Sequence, residues 1–174
     1  VIGPYGFILL RVSGAALLFW LISLLYPTEK LDKKDFWRML ACAFFGMVLN
    51  MNMFFKGLEL STPINSSVVI TLTPVLLLVL TAVFLKEPIT WMKSIGIGIG
   101  LIGALVLILF GLKTQPNAPN IPLGNFFFII NATSYAFYLI LVKPLVAKYS
   151  SITLMRTFFL MALLMNLPIG FSQL

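Results

Sequence analysis

The chain has 174 residues, of which 60% are hydrophobic and only 10% are charged, and its formal net charge is +7. A soluble domain normally carries about 25% charged residues, so this composition excludes an ordinary soluble globular protein. The positive charge does not indicate nucleic acid as a partner. The 12 Lys and Arg residues lie mainly in short gaps between apolar runs, where basic residues set the orientation of a membrane protein.

Six apolar runs are long enough to cross a bilayer, because a hydrocarbon core of roughly 30 Å needs about 20 helical residues. Strand-like alternation with period 2 is absent from these runs, so we do not expect a β-barrel. We therefore predict an all-α integral membrane protein, a polytopic bundle of six transmembrane helices. They are expected at Tyr5–Tyr26, Phe36–Phe55, Thr62–Leu85, Trp91–Leu112, Pro122–Val142 and Ser151–Ser172.

The basic residues between the runs predict the orientation of the chain. Eight of them fall in the gaps after the first, third and fifth runs or in the first turn of the run that follows, and two fall in the other gaps: Lys30, Lys33, Lys34, Arg38, Lys86, Lys93, Lys143 and Lys148 against Lys56 and Lys113. Because cytoplasmic loops are enriched in basic residues, we expect the Glu29–Asp35 loop to be cytoplasmic. The visible N-terminus would then lie outside, and an odd number of further spans, most simply one, is expected upstream.

Two similar segments suggest an internal repeat. PYGFILLR (Pro4–Arg11) and YSSITLMR (Tyr149–Arg156) are offset by 145 residues, the length of five helices here. Since five is odd, the second copy would enter the membrane from the opposite side, as in the inverted repeats of many secondary transporters.

Polar side chains in the third run are candidates for a substrate path. Asn65, Ser66 and Thr73 fall on one face with Thr62, and polar faces of lipid-embedded helices point inward. Pro74 breaks the helix, because it cannot donate to the carbonyl of Ile70, which then needs another partner. The alternative is that these side chains make only interhelical hydrogen bonds, worth roughly 0.6 kcal/mol each.

The fifth run carries a second polar face. Asn131, Ser134, Tyr135 and Tyr138 follow i, i+3, i+4, i+7 spacing, and their amide and phenol groups could bind a polar metabolite. Asn50 of the second run is a further candidate for the path, while Asn52 lies some 200° away on the helical wheel. Ordinary packing with satisfied hydrogen bonds is again the alternative.

Other residues have simpler interpretations. Arg11 is either a charge at the outer mouth or a side chain that snorkels outward, and Arg156 is expected to anchor its helix at the cytoplasmic interface. Small residues predict a helix-packing ridge in the fourth run, formed by Gly96, Gly100, Gly103 and Ala104. The chain has no His and a single Cys, and no membrane carboxylates cluster in its runs. We therefore predict no catalytic site, no metal and no cofactor.

The segment GLELSTPINSSVVITLTPVLLLVLTAVFLKEPITWMKSIGIGIGLIGALVLI resembles the fourth and fifth helices of an EamA-type transporter, in the drug/metabolite transporter superfamily. The similar features are Leu60 to Thr62, Asn65 to Ser67, Pro74, Glu87 and Gly96 to Gly103. The resemblance implies ten helices in two inverted five-helix repeats. The six runs would be helices two to seven, with residues 1–113 completing the first repeat and 114–174 opening the second.

The resemblance also implies a function. We expect a secondary transporter in the bacterial inner membrane that exports or exchanges a small metabolite, such as an amino acid or a drug-like compound, by alternating access. Its expected partners are the small-molecule substrate and the lipid bilayer, without nucleic acid, and a homodimer is left open. Two alternatives remain at this point: a structural or assembly protein without a solute pathway, and a passive pore for small solutes.

Overall fold

The computed structural model describes residues 3–86, 88, 90–110 and 118–171, with the backbone alone at residues 104, 105 and 107–110. This part of the chain is helical and contains no strand. Its six helices are α1 (Pro4–Leu25), α2 (Lys33–Leu60), α3 (Pro63–Leu85), α4 (Trp91–Phe110), α5 (Ile121–Val146) and α6 (Ser151–Gly170). Glu87, Lys113 and Ser172 lie outside the described residues. The predicted all-α polytopic membrane fold is confirmed.

Five of the helices are long and apolar enough to cross a membrane, namely α1, α2, α3, α5 and α6, while the described apolar part of α4 is the shorter Trp91–Gly103. The largest difference from the sequence prediction is in α2, which ends at Leu60 and not at Phe55. Lys56 pairs with Glu59 at 2.7 Å in this last turn. An i, i+3 ion pair of this kind supports helix in a segment too polar to be counted as apolar.

Helix α2 is irregular along its length. It opens with a 3₁₀ turn at Lys33–Asp35, where the Asp32 carboxylate accepts a 3.0 Å hydrogen bond from the Lys34 amide. A regular segment, Phe36–Ala43, leads into a π-helix at Phe44–Leu49, after which the α-helix resumes. Such π segments are rare in proteins, and those that occur are often found at functional sites.

Helix α3 is divided by its proline. The first half, Pro63–Ile70, begins with Thr62 accepting a hydrogen bond from the Asn65 amide, and the second half is Thr73–Leu85. Thr71 and Leu72 form a turn between them. The predicted break at Pro74 is therefore present. The helix ends at Leu85, and its C-cap residue Lys86 has a φ of 54°, which places a non-glycine residue in the left-handed region.

The chain forms two compact units, Val1–Asn52 with Leu141–Leu174, and Met53–Ile140. Each unit takes residues from both sides of the predicted repeat boundary at 113, and the division into repeats stays a prediction. In the first unit, α1 packs antiparallel to α6. At one end a Cβ on Gly170 would lie 2.8 Å from the Cβ of Leu9. Further along, the rings of Phe19 and Phe159 stack with centroids 5.4 Å apart.

In the second unit, the end of α2 approaches the start of α5 closely. A Cβ on Gly57 would lie 2.6 Å from the Phe128 ring, and a Cβ on Gly124 would overlap Ser61. The Asn120 amide also donates a 3.1 Å hydrogen bond to the Leu60 carbonyl. The lack of room for a larger residue at these two glycines shows that α2 and α5 approach closely. At this separation short polar side chains of the two helices can meet.

Candidate substrate path and loop network

Three polar side chains form a buried chain in the second unit. The Asn65 amide Nδ2 donates to Ser61 Oγ at 3.1 Å, and the Ser61 hydroxyl donates to Asn125 Oδ1 at 2.8 Å. Asn65 is 8% exposed and Asn125 is fully buried. The chain links the start of α3, through the end of α2, to the first turns of α5.

The Nδ2 group of Asn125 has no hydrogen-bond partner among the described residues. A buried donor without a partner costs roughly 1–3 kcal/mol, and each one in a native structure needs an explanation. An amide donor in this position can bind a carboxylate or carbonyl oxygen. Asn125 and Ser61 were not singled out in the sequence, although Gly57 and Ser61 have the small-xxx-small spacing of a close helix contact.

The other candidates in α3 make local hydrogen bonds. Ser66 is buried and its hydroxyl donates to the Pro63 carbonyl at 2.9 Å. The Thr73 hydroxyl donates to the Ile70 carbonyl at 2.7 Å, which supplies the partner that this carbonyl was expected to need. Only Asn65 of the predicted α3 face joins the buried chain described above.

The predicted α5 face divides into two parts. Asn131 and Ser134 are buried, whereas Tyr135 is 41% exposed and Tyr138 is half-buried. The two tyrosine rings lie side by side with centroids 5.7 Å apart. The contact from Asn65 reaches α5 at Asn125, nearly two turns before Asn131.

A second buried amide pair lies in the first unit. Asn52 Nδ2 donates to Asn166 Oδ1 at 2.9 Å and to the Val48 carbonyl at 2.7 Å, while Asn166 donates to the Ala162 carbonyl. Asn52 Oδ1 has no partner among the described residues. Asn50, the residue that the sequence favoured, is half-buried. Asn166 is the lone amide of its apolar run, which is the signal that could have identified it, whereas Asn52 shares its run with Asn50.

The remaining predicted residues are exposed or pack against a neighbouring helix. Arg11 is exposed. In α4, a Cβ on Gly100 would lie 3.0 Å from Val75, so this glycine lies against α3. Gly96 and Gly103 are exposed, and the side chain of Ala104 lies outside the described part, so the rest of the packing ridge stays a prediction.

The loop between α1 and α2 binds the start of α6. The Glu29 carboxylate accepts hydrogen bonds from the Thr153 hydroxyl at 2.6 Å, the Ser150 hydroxyl at 2.9 Å and the Ser150 amide at 3.2 Å. These donors, Thr153 first, lower the pKa of Glu29 from 4.5 to about 2. A carboxylate at a helix N-terminus is also favoured by the helix dipole.

The same loop is held by an ion-pair cluster. Lys148 Nζ lies 2.6 Å from Asp35 and 3.2 Å from Asp32, and the Tyr149 hydroxyl donates to Asp35 and accepts from the Asp32 amide. The hydrogen bond to Asp35 is the main cause that raises the pKa of Lys148. The Lys34 amide and then Lys148 lower the pKa of Asp32. We call Glu29, Asp32, Asp35, Lys148, Tyr149, Ser150 and Thr153 the loop network.

Comparison with known proteins identifies the family of this chain. Residues 1–109 match the model of the EamA-like transporter family. The chain belongs to that family. The predicted resemblance is thereby confirmed, and no group of three or more His, Cys, Asp or Glu side chains in the described part of this EamA-like protein could hold a metal ion.

Relatives with transporter names extend this comparison. An "Uncharacterized transporter" of Archaeoglobus fulgidus is 31% identical over 154 residues, 88% of this chain and 52% of the relative. The "Uncharacterized transporter YetK" of Bacillus subtilis is 28% identical over 157 residues, 88% of this chain and 48% of that protein. The "WAT1-related protein At4g28040" of Arabidopsis thaliana is 26% identical over 162 residues, 83% of this chain and 45% of that protein. The chain thus spans about half the length of these curated relatives. No solved structure matches it significantly.

Proposed function

We propose that this EamA-like protein is part of a secondary transporter that exports or exchanges a small metabolite, such as an amino acid or a drug-like compound, by alternating access. The observation that carries the proposal is the buried chain Asn65–Ser61–Asn125, whose Asn125 donor has no partner in the described part of the chain, in a member of a transporter family. A solute that enters this site would accept a hydrogen bond from Asn125 and would relieve the cost of leaving that donor unpaired.

Among the path residues predicted from the sequence, Asn65 has the strongest support, because it is buried and bonded to Ser61. Thr73 and Ser66 have the weakest, since their hydroxyls already donate to the Ile70 and Pro63 carbonyls. The others stay candidates from the spacing of their polar side chains along the helices: Asn50, Asn131, Tyr135 and Tyr138.

We further propose that the loop network lies on the cytoplasmic side of a bacterial inner membrane. The excess of basic residues in the gaps on this side supports the orientation. In an alternating-access cycle, the hydrogen bonds that Glu29 accepts from Ser150 and Thr153, and those that Lys148 donates to the aspartates, would hold the loop before α2 against the start of α6 in one state. The other state would require these bonds to break.

Counterflow in proteoliposomes tests the transport proposal. The full-length protein, reconstituted with unlabelled amino acids inside, should take up a radiolabelled amino acid mixture with saturable kinetics and with acceleration by the internal pool. The substitutions Asn125→Leu and Asn65→Leu with Tyr138→Phe should abolish this exchange while insertion is retained. Ser13→Ala is the matched control, since the Ser13 hydroxyl is exposed and bonds only its own helix at the Leu10 carbonyl.

Three results would contradict the proposal. Wild-type exchange in a correctly inserted Asn125→Leu protein would remove the buried chain from the path. Linear uptake without acceleration by internal amino acids would identify a passive pore. Loss of stability and of transport in the same proportion in these variants would show that the polar residues serve only as structural contacts.

A further inference from the structure

Arg156 carries a positive charge that no carboxylate of the described residues neutralises. Its guanidinium lies over the Trp20 ring, with Cζ 5.7 Å from the ring centroid, and Nη1 donates a long 3.5 Å hydrogen bond to Ser23. The ion pairs found in the described ranges involve Lys56 and Lys148 and do not include Arg156. Since a guanidinium has five N–H donors, most of its capacity is left for a ligand.

This arginine lines a cavity of about 340 Å³ in the first unit. The cavity walls are otherwise mainly apolar: Trp20, Leu31, Phe36, Leu160 and Met161. The Thr157 hydroxyl, also in the wall, already donates to the Thr153 carbonyl at 2.7 Å. Arg156 is therefore the polar group with which a ligand in the cavity would interact.

The cavity lies at the depth where a membrane surface is expected. Trp20 is in the last two turns of α1, Arg156 is in the second turn of α6, and Phe36 is at the start of α2. Trp20 is 48% exposed and Phe36 is 47% exposed, so the walls are open on their outer side. Aromatic and basic side chains at helix ends are typical of the interface between lipid and water.

We propose that this cavity binds one anionic phospholipid of the adjoining leaflet. The Arg156 guanidinium pairs with the lipid phosphate, for which its planar fork is suited, and the apolar walls contact the upper acyl chains. A neighbouring cavity that shares Leu31 and Phe36 is lined by both Lys33 and Asp32, whose opposite charges offset each other, so Arg156 supplies the positive charge of the site. The apolar walls and the outward opening favour a lipid over a free anion. This inference concerns a different site from the proposed substrate path and does not depend on transport.

Trp20 itself reports on the site. In the full-length protein, every other tryptophan is replaced by Phe, which in this chain means Trp37 and Trp91. The protein is placed in phosphatidylcholine bilayers that contain a minor fraction of brominated phosphatidylglycerol or of brominated phosphatidylcholine. We expect brominated phosphatidylglycerol to quench Trp20 with about a fivefold preference over brominated phosphatidylcholine, the factor expected for one basic residue and an anionic lipid.

Three variants distinguish a specific site at Arg156 from general attraction to a basic surface. Arg156→Gln should abolish the preference, and Arg156→Lys should keep part of it. Lys30→Gln, which removes the same charge from the same side of the protein, should keep all of it. If Arg156→Gln folds poorly, the comparison between the wild-type sequence and Arg156→Lys carries the test.

Each other outcome overturns the proposal. Equal quenching by the two brominated lipids would show that no anionic lipid is selected. Equal losses in Arg156→Gln and Lys30→Gln would show diffuse attraction to the surface. Loss of the preference on addition of inorganic phosphate, at constant ionic strength, would show that the site takes a free anion.

Discussion

The Thr73 hydroxyl donates a 2.7 Å hydrogen bond to the Ile70 carbonyl, the group that would be the helical partner of residue 74 if that residue were not proline. In lipid, an unpaired carbonyl is costly because no water is present to bond it. Thr73 therefore repairs the defect that Pro74 creates, and the break in α3 is stabilised by the residue beside it.

This relationship predicts a coupled stability effect. Thr73→Val should destabilise the protein by roughly 1 kcal/mol, because the Ile70 carbonyl loses its donor. In a Pro74→Ala background the same substitution should cost little, since the alanine amide can then donate. Thermal unfolding in detergent of the four proteins of this double-mutant cycle measures the coupling.

Thr81→Val is the control, because Thr81 also donates to a carbonyl three residues earlier, that of Leu78, but no proline follows it. Its cost should not depend on residue 74. Additive effects of Thr73→Val and Pro74→Ala would show that the hydroxyl is incidental.

The close contact between α2 and α5 predicts that Gly124 does not tolerate alanine, whereas a glycine in open space does. Gly124→Ala should destabilise the protein by roughly 2 kcal/mol or more, because the new methyl would overlap Ser61 and lie 2.8 Å from the Gly57 carbonyl. Gly14→Ala has open space around its Cβ position among the described residues, and should stabilise α1 by about 0.5–1 kcal/mol. Thermal unfolding checks both, and a neutral Gly124→Ala would contradict the close approach.

The hydrogen bonds to Glu29 predict a pH dependence. The pKa of Glu29 falls from 4.5 to about 2 on folding, so its contribution to stability is complete above pH 4.5 and is lost as the pH falls toward 2. Glu29→Gln should remove this part of the acid limb when thermal unfolding is followed against pH. Glu59→Gln, at a carboxylate outside the loop network, should leave it in place. An unchanged acid limb in Glu29→Gln would mean that the Glu29 contacts do not persist in solution.

The Tyr149 hydroxyl predicts a local effect within the loop network. Tyr149→Phe removes one oxygen and with it the 3.0 Å hydrogen bond from the Asp32 amide and the 2.8 Å hydrogen bond to Asp35. If the lost bond is worth about 1 kcal/mol, exchange of the Asp32 amide with deuterium should accelerate about fivefold. Tyr26→Phe serves as the control and should leave this exchange rate unchanged.

Features that depend on neighbours in the sequence were predictable. Length and composition located the six apolar segments, because a helix in lipid satisfies its own backbone. The need of the Ile70 carbonyl for a new partner followed from Pro74 alone. The extra turn of α2 was not predicted, since the ion pair between Lys56 and Glu59 lies beyond the apolar window that defined the helix.

Contacts between distant residues could not be predicted in this way. Asn52 and Asn166 are 114 residues apart, and Thr153 and Glu29 are 124 residues apart. A helical wheel shows which residues share a face but not which helix lies opposite. For this reason the sequence drew attention to Asn50 and left Asn52, Asn125 and Arg156 without their partners.

The π-helix at Phe44–Leu49 changes the direction in which the residues after it point around the axis of α2. A π segment accommodates one more residue than regular helix over the same rise, which corresponds to an offset of about 100° between the residues before and after it. Asn52 thus reaches Asn166 from a direction that an uninterrupted helix starting at Phe36 would not give it. Deletion of a single residue between Phe44 and Leu49 would let the segment close as regular helix with the far half of α2 facing the same way, whereas regular helix through all six residues would turn that half by about 100° around its own axis.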